Sequence, residues 1–538
     1  MTKTVIIHGH FYQPPRFSPW TGRLKREPSA FPANNWNDRI LHECYKPNTC
    51  AGITSDNGYE EVNNFEYISF DMGPTLSGWM IREYIDVYRN ILEADSASRN
   101  AVALPYNHTI LPLDSETNLR AQIRWGIDEF TIRFGRRPAA MWLPECAVSS
   151  RVVEELIRNG MKFLILASGQ AAEVKRLNGT QWYDVSGGDI DVRRPYRVVT
   201  DSGHIEVFFS HQGLAADISF NRLLDDPSRM ADHIEKILGR KESEDTLVAI
   251  ATDGETFGHH HKGAEKGLAY LIKYELPRRG IRVCNFEDYL RDHPVTWQVR
   301  LKEDSSWSCW HGVERWRGPC GCGTEEGSSL EWRAPLRESI SWLGDRILEL
   351  ARDKGPEFFT ADFSEALESY GEVLTTSTRL PAFRERYVRE ELRGDTRVDL
   401  LLEMVYFSFY SFTSCGWFFG SLDRPEPEQV LSFALRSMDL AEELFGVNLE
   451  EGFLSRLFKY PEAEKIWSKR VLALKISPED MARDFYDIYR YAGIKRLTVG
   501  FWYLEILEEE GISMVSMENR RTFSSFRFKF TDKEKPGV

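Results

Sequence analysis

The sequence predicts an α/β protein: a barrel-like parallel sheet with crossover helices over about the first 300 residues, then an α-helical C-terminal domain. Three observations lead there. Short β-rich runs alternate with helical patterns through the first part of the chain. The texture turns to helical periodicity after about residue 330. The 538 residues are too many for one small core, so two or three units are expected.

The β-rich runs fall at 5–7, 101–104, 140–143, 163–166, 206–209 and 247–251, with helical spacing of apolar residues at 82–94, 119–134 and 150–159. Their spacing and the length suit a barrel better than a short open sheet, although periodicity alone cannot close one. Helices are expected at 334–352, 362–374, 384–408, 427–445, 461–475 and 478–492. The last starts at Ser477-Pro478-Glu479-Asp480, a cap, a first-turn proline and two acids. Residues 523–530 read as a late strand and 532–538 as a loose tail. The expected division is a barrel over 1–300, a Trp/Cys-rich loop over 301–333 and a helical domain over 334–538.

A net charge of −14 argues against a nucleic-acid-binding surface, and 42% hydrophobic with 28% charged residues is ordinary for a soluble globular chain. Eight scattered cysteines read as reduced thiols, and no charged-then-apolar leader precedes the first strand, so a cytoplasmic location is expected. Residues 405–422 lack charge over nearly the length of a membrane span, but five serine and threonine side chains and two glycines favour a buried aromatic-rich helix and turn.

Four strand ends carry chemistry, as the C-terminal edge of a parallel sheet does. In "HGHFYQPPR" His8 and His10 are two apart and share one face of an extended strand. They suit a metal pair, a substrate-binding pair or satisfied loop histidines equally. In "LPYNHTILPL" Asn107-His108 follows a strand, either as a capped turn or as a working polar ring. In "MWLPECA" Glu145 stands just past a buried run, where an acid is costly unless bonded or functional, and Trp142 offers a flat face that suits a sugar ring or the core. In "TLVAIATDGETFGHHHKG" Asp253 ends an apolar run, Gly254 permits a sharp turn, and Glu255 assists or caps. Two carboxylates on separate strand ends meet the need of retaining glycoside cleavage, a nucleophile and an acid/base about 5–5.5 Å apart. Neither a phosphate loop nor a Gly-x-Ser-x-Gly elbow is present.

Together, and in order, "HGHFYQPPR", "NHTILPL", "MWLPECA" and "DGETFG" resemble glycoside hydrolase family 57, over roughly residues 1–330. The resemblance implies a (β/α)7 barrel acting on α-glucans with retention. It makes Glu145 the nucleophile, Asp253 the acid/base and His10 a sugar contact, with Trp142 and His108 lining nearby subsites. Gln13, Glu255 and Trp310 complete the expected substrate-binding set. Many members have His-Gln-Pro contiguous, whereas Phe11 and Tyr12 separate His10 from Gln13 here. The helical half resembles a less-characterised branch of the family. No cofactor is expected, no metal ligand is assigned, and the expected partner is an α-glucan or maltooligosaccharide.

Two clusters remain. Consecutive side chains diverge, so His259-His260-His261 reads as a polar loop rather than a metal site. Residues 306–327 hold Cys309, Cys320 and Cys322 with His311 and Trp307, Trp310 and Trp316. The spacing matches no common zinc pattern, and packing by aromatics is simpler than metal or redox chemistry. The tryptophans suit a sugar-stacking lid or a docked loop. Two other readings stand beside the enzyme: a metal-dependent hydrolase using His8, His10 and Asp253, and a non-catalytic glycan-binding protein.

Overall fold

A computed structural model describes residues 2–55, 58–239, 245–322, 329–509 and 512–530. The expected tail at 532–538 lies outside them. The chain forms two compact units, one of residues 1–14 and 27–314, the other of residues 15–26 and 315–538.

The first unit is a closed barrel. The strand Lys3–Phe11 lies between Ser69–Met72 and Thr246–Asp253, parallel to both. Ser69–Met72 pairs with Ala101–Val102. Ala103 then bridges to Met141 and Ala140 to Phe163, both in parallel. Phe163–Ala167 pairs with Gly203–Ser210, which meets the Thr246–Asp253 strand at Ser210 and Ala249. Every link is parallel and the walk returns to its start, so seven segments form the ring of a (β/α)7 barrel. Three of its links rest on a single residue pair, which is why sequence periodicity could not announce them.

The crossover helices follow ordinary end signals. Ser115 caps Glu116–Phe134 by accepting from the Asn118 amide, and Gly135 ends it in the left-handed conformation. The single helix expected at 82–94 is two, Pro74–Glu83 and Ile85–Ser98, broken at Tyr84. The barrel strands are buried on both faces, as parallel strands under helices must be. Outside the ring, Ala171–Arg176, Tyr196–Thr200 and Trp297–Leu301 extend the sheet by mainly antiparallel pairs.

The second unit is helical first. Arg333–Phe358, Thr396–Tyr410 and Pro425–Phe445 are its long helices. Thr396–Tyr410 is buried from Val398 onward. Among the described residues no helix is long and apolar enough to cross a membrane. The late strand expected at 523–530 is one of four: Arg496–Val499, Trp502–Glu509, Ile512–Asn519 and Ser525–Phe530 form an antiparallel meander. Alternate residues Trp502, Leu504 and Ile506 face inward with Val515, Met517 and Phe530, against Ala482 and Phe485 of the helix Pro478–Ala492. Each such side chain contributes on the order of 1.5–3 kcal/mol by leaving water. Residues 15–26 belong to this unit because Trp20 and Phe17 are anchored in it. Trp502 donates its indole N–H to the Trp20 carbonyl at 2.8 Å, and the Phe17 ring packs on Tyr410, Phe433 and Phe501.

Candidate active site

All the strand ends singled out in the sequence, apart from the tryptophan loop, open on one end of the barrel. Pairing fixes much of the geometry. His10 lies opposite Asp71 on one neighbouring strand and opposite Asp253 on the other. Three polar residues in register across three adjacent strands form the floor of the site.

Asp71 is its buried hub, and sequence reasoning missed it. Its carboxylate meets His8 Nε2 at 3.1 Å through one oxygen and His10 Nδ1 at 2.8 Å through the other. His8 Nδ1 is 3.0 Å from the Ser69 hydroxyl. Both histidines therefore turn to Asp71, and not jointly to Asp253 as a metal pair would. Burial raises the Asp71 carboxyl, but the His10 charge and the hydrogen bonds from both histidines outweigh it and hold it below the usual range. Burial pulls the His10 imidazole down. The charge and hydrogen bond of Asp71, helped by Asp253 and Glu255, overcome this and push it up to about 9. His10 is a cation at neutral pH. Burial keeps His8 below its ordinary value, and burial with the His10 charge keeps His108 well below it.

His108 sits at φ 55°, its ring stacked 3.7 Å from Tyr12 and its Nε2 3.2 Å from His10 Nε2. The consistent proton assignment has the His10 cation donating to Asp71 from Nδ1 and to neutral His108 from Nε2. In this state both His10 nitrogens have protein partners, and a sugar hydroxyl reaches His10 only by displacing His108. Trp142 lies across both histidines, its ring 4.7 Å from His8 and 5.3 Å from His10. Among the described residues its buried indole nitrogen and the Gln13 side-chain oxygen have no hydrogen-bond partner, a cost that a bound hydroxyl can relieve.

Glu145 is held differently. Both it and Cys146 have positive φ, 57° and 51°, a conformation that costs a non-glycine residue on the order of 1–3 kcal/mol. The loop at 305–308 holds this turn. The Trp307 amide donates to the Glu145 carbonyl at 2.9 Å. The Trp307 indole and the Ser308 hydroxyl both donate to Glu145 Oε2, at 3.0 and 2.5 Å. The Trp307 ring also stands edge-on to Trp142 at 5.2 Å. Two donors on one carboxylate oxygen fix its orientation.

Asp253 ends its strand exposed, while Glu255 is buried. Tyr45 donates to Glu255 Oε1 at 2.6 Å and in turn accepts from Gln13 at 2.8 Å. Burial pushes the Glu255 carboxyl up to about 7, with Tyr45 pulling it down and the Asp253 charge adding to the rise. Burial raises the Cys146 thiol, and Glu145, Asp253 and Asp71 all push it further.

Gly254 serves a purpose other than the sharp turn expected of it. Its φ is not positive, but a Cβ there would stand 2.4 Å from the Phe11 ring. The three histidines diverge: His259 binds Glu43 at 2.5 Å and His261 the Ser219 carbonyl at 2.7 Å. Trp310 is not drawn in, being 94% exposed, and Trp316 is core of the second unit, donating to the Ser414 carbonyl. The ring beside Glu145 is Trp307. Asp71 lies inside the four-residue segment Ser69-Phe70-Asp71-Met72 before Gly73-Pro74, too short and polar to announce a strand end as the runs before Glu145 and Asp253 do.

The family model described as Glycosyl hydrolase family 57 matches residues 8–301, more than half of the chain. A domain of unknown function (DUF3536) matches residues 329–486. Comparison with curated proteins gives no match. Among solved structures, the exo-type maltose-forming amylase from Pyrococcus sp. ST04 is similar with a TM-score of 0.66 at 16% identity, over 91% of this chain and 86% of that one. A branching enzyme from Pyrococcus horikoshii is similar with a TM-score of 0.53 at 17% identity, over 89% of this chain and 98% of that one. At such identities the likeness speaks for the fold.

Proposed function

Because the chain belongs to glycosyl hydrolase family 57, we propose that it cleaves or transfers α-1,4-glucosidic bonds of an α-glucan by double displacement. The observation that supports this reading is the Glu145 carboxylate held by the Trp307 indole and the Ser308 hydroxyl, together with Asp253 at the end of a barrel strand in register with His10. In the first half Glu145 attacks the anomeric carbon as the bond to the leaving oxygen breaks, and the Asp253 proton goes to that oxygen. In the second half water or a sugar hydroxyl gives its proton to Asp253 and displaces Glu145, freeing product with the original configuration. Gln13 and the Trp142 face would bind the sugar, and cationic His10 would join them by exchanging its bond to His108 for one to a sugar hydroxyl. The substrate class is supported by the amylase and branching activities that the similar structures are named for. Eight cysteines present as thiols accord with a cytoplasmic location.

Product analysis after incubation with maltooligosaccharides, amylose and glycogen tests the proposal. Shorter or redistributed glucans are expected from the wild type. Asp253→Asn should lower the rate about 10²–10⁴-fold, the range of a lost general acid/base, and Glu145→Gln at least as much. Undiminished turnover by either variant would refute the assignment.

A further inference from the structure

The loop that aims Glu145 continues into a cluster the proposed reaction does not use. Cys309, His311, Cys320 and Cys322 each offer one ligand atom, and these four atoms lie within 4.8 Å of one another. All four stand on one short stretch of chain, residues 309–322. The order is Cys-x-His, eight residues, then Cys-x-Cys.

Packing does not account for the gathering. Cys309 is buried, but Cys320 and Cys322 are half-buried, His311 is exposed and Trp310 between them points to solvent. Apolar burial has no reason to draw three thiols and an imidazole together at a surface. The backbone, by contrast, is shaped for it. Gly321, between the two cysteines, has φ +78°. Gly312, directly after His311, has φ +83°, and a Cβ there would stand 2.3 Å from the Asp304 carbonyl oxygen. Both turns suit glycine. The Cys322 amide donates to Cys320 Sγ at 3.4 Å.

We propose that these residues bind a zinc ion with Cys309, His311, Cys320 and Cys322 as its four ligands. Three thiolates and one imidazole are a closed set for structural zinc. Zinc–sulfur bonds of about 2.3 Å put tetrahedral ligand atoms roughly 3.5–3.8 Å apart, so the cluster needs to contract by no more than about 1 Å. The spacing fits no common zinc pattern, and that is why the sequence alone argued for packing. Cys309 directly follows Ser308, so the ion would also fasten the segment whose Trp307 and Ser308 hold Glu145. This last consequence rests on the role given to Glu145, whereas binding of the ion does not.

The test is metal analysis of the full-length protein, prepared without chelators or metal-affinity resin and dialysed against zinc. About one zinc per chain is expected, released by a mercurial reagent that blocks thiols. Cobalt in its place should give the visible absorption of a tetrahedral thiolate complex. Cys320→Ser/Cys322→Ser should abolish both signals, and His311→Ala, exposed and so mild for folding, should weaken zinc retention on its own. Glu145→Gln should retain full zinc, which separates this proposal from the catalytic one. Absence of stoichiometric metal after dialysis, or a Cys320–Cys322 disulfide in the native protein, would overturn it.

Discussion

Asp71→Asn removes one charge from the floor of the site and leaves its shape. In the wild type Asp71 is the main cause that lifts the buried His10 imidazole from 6.5 to about 9. That rise of about 2.5 units corresponds to about 3 kcal/mol favouring the cation. Without Asp71 the burial penalty remains, and His10 falls below its ordinary value. The sign for stability follows. A raised imidazole contributes fully below pH 6.5, and that contribution is lost as pH rises through 9. The wild type should therefore lose on the order of 3 kcal/mol across that window from this group, and the variant almost none. Exchange of the histidine C2 proton, read by mass spectrometry peptide by peptide, gives each midpoint among the twelve histidines. The His10 peptide should titrate near 9 in the wild type and at least two units lower in the variant. Equal midpoints in the two proteins would refute Asp71 as the source of the charge.

Two further perturbations address the walls of the site. Trp307→Phe and Ser308→Ala each remove a donor to the Glu145 carboxylate, and a hydrogen bond to a charged group is worth about 1.5–3 kcal/mol. Each should lower kcat/KM roughly 10–100-fold, and an unchanged kcat/KM would count against the arrangement. Gly254→Ala places a methyl 2.4 Å from the Phe11 ring, so the turn carrying Asp253 must shift. Activity should fall together with a destabilisation of about 1–3 kcal/mol in thermal melts, whereas a variant with wild-type melting and turnover would show that the contact is slack.

Much of this was legible in the chain because acids and histidines directly after apolar runs are rare without a reason. His10, Glu145 and Asp253 declared themselves that way, and so would Asp71 if its strand were longer. Ser69–Met72 is four residues with a serine and an aspartate inside, too short and too polar to register as a β-run. Irregular loops carry no period, so nothing in 306–316 told which of Trp307, Trp310 and Trp316 turns to Glu145; it is Trp307, while Trp310, expected to bind substrate, is exposed. The C-terminal meander was visible in the alternation of Trp502, Leu504 and Ile506, but the helices before it invited a helical reading. Barrel closure rests on pairings far apart in sequence, Ala103 with Met141 and Ala140 with Phe163, which a local reading cannot supply.

The most direct test of double displacement is to catch its intermediate. Asp253→Asn enzyme, incubated with a fluorinated glucosyl fluoride that needs no acid to depart, should accumulate one glycosyl group on the peptide bearing Glu145. Adding Glu145→Gln should remove the label. A label on another carboxylate, or a product of inverted configuration with no covalent species, would mean that Glu145 is not the nucleophile.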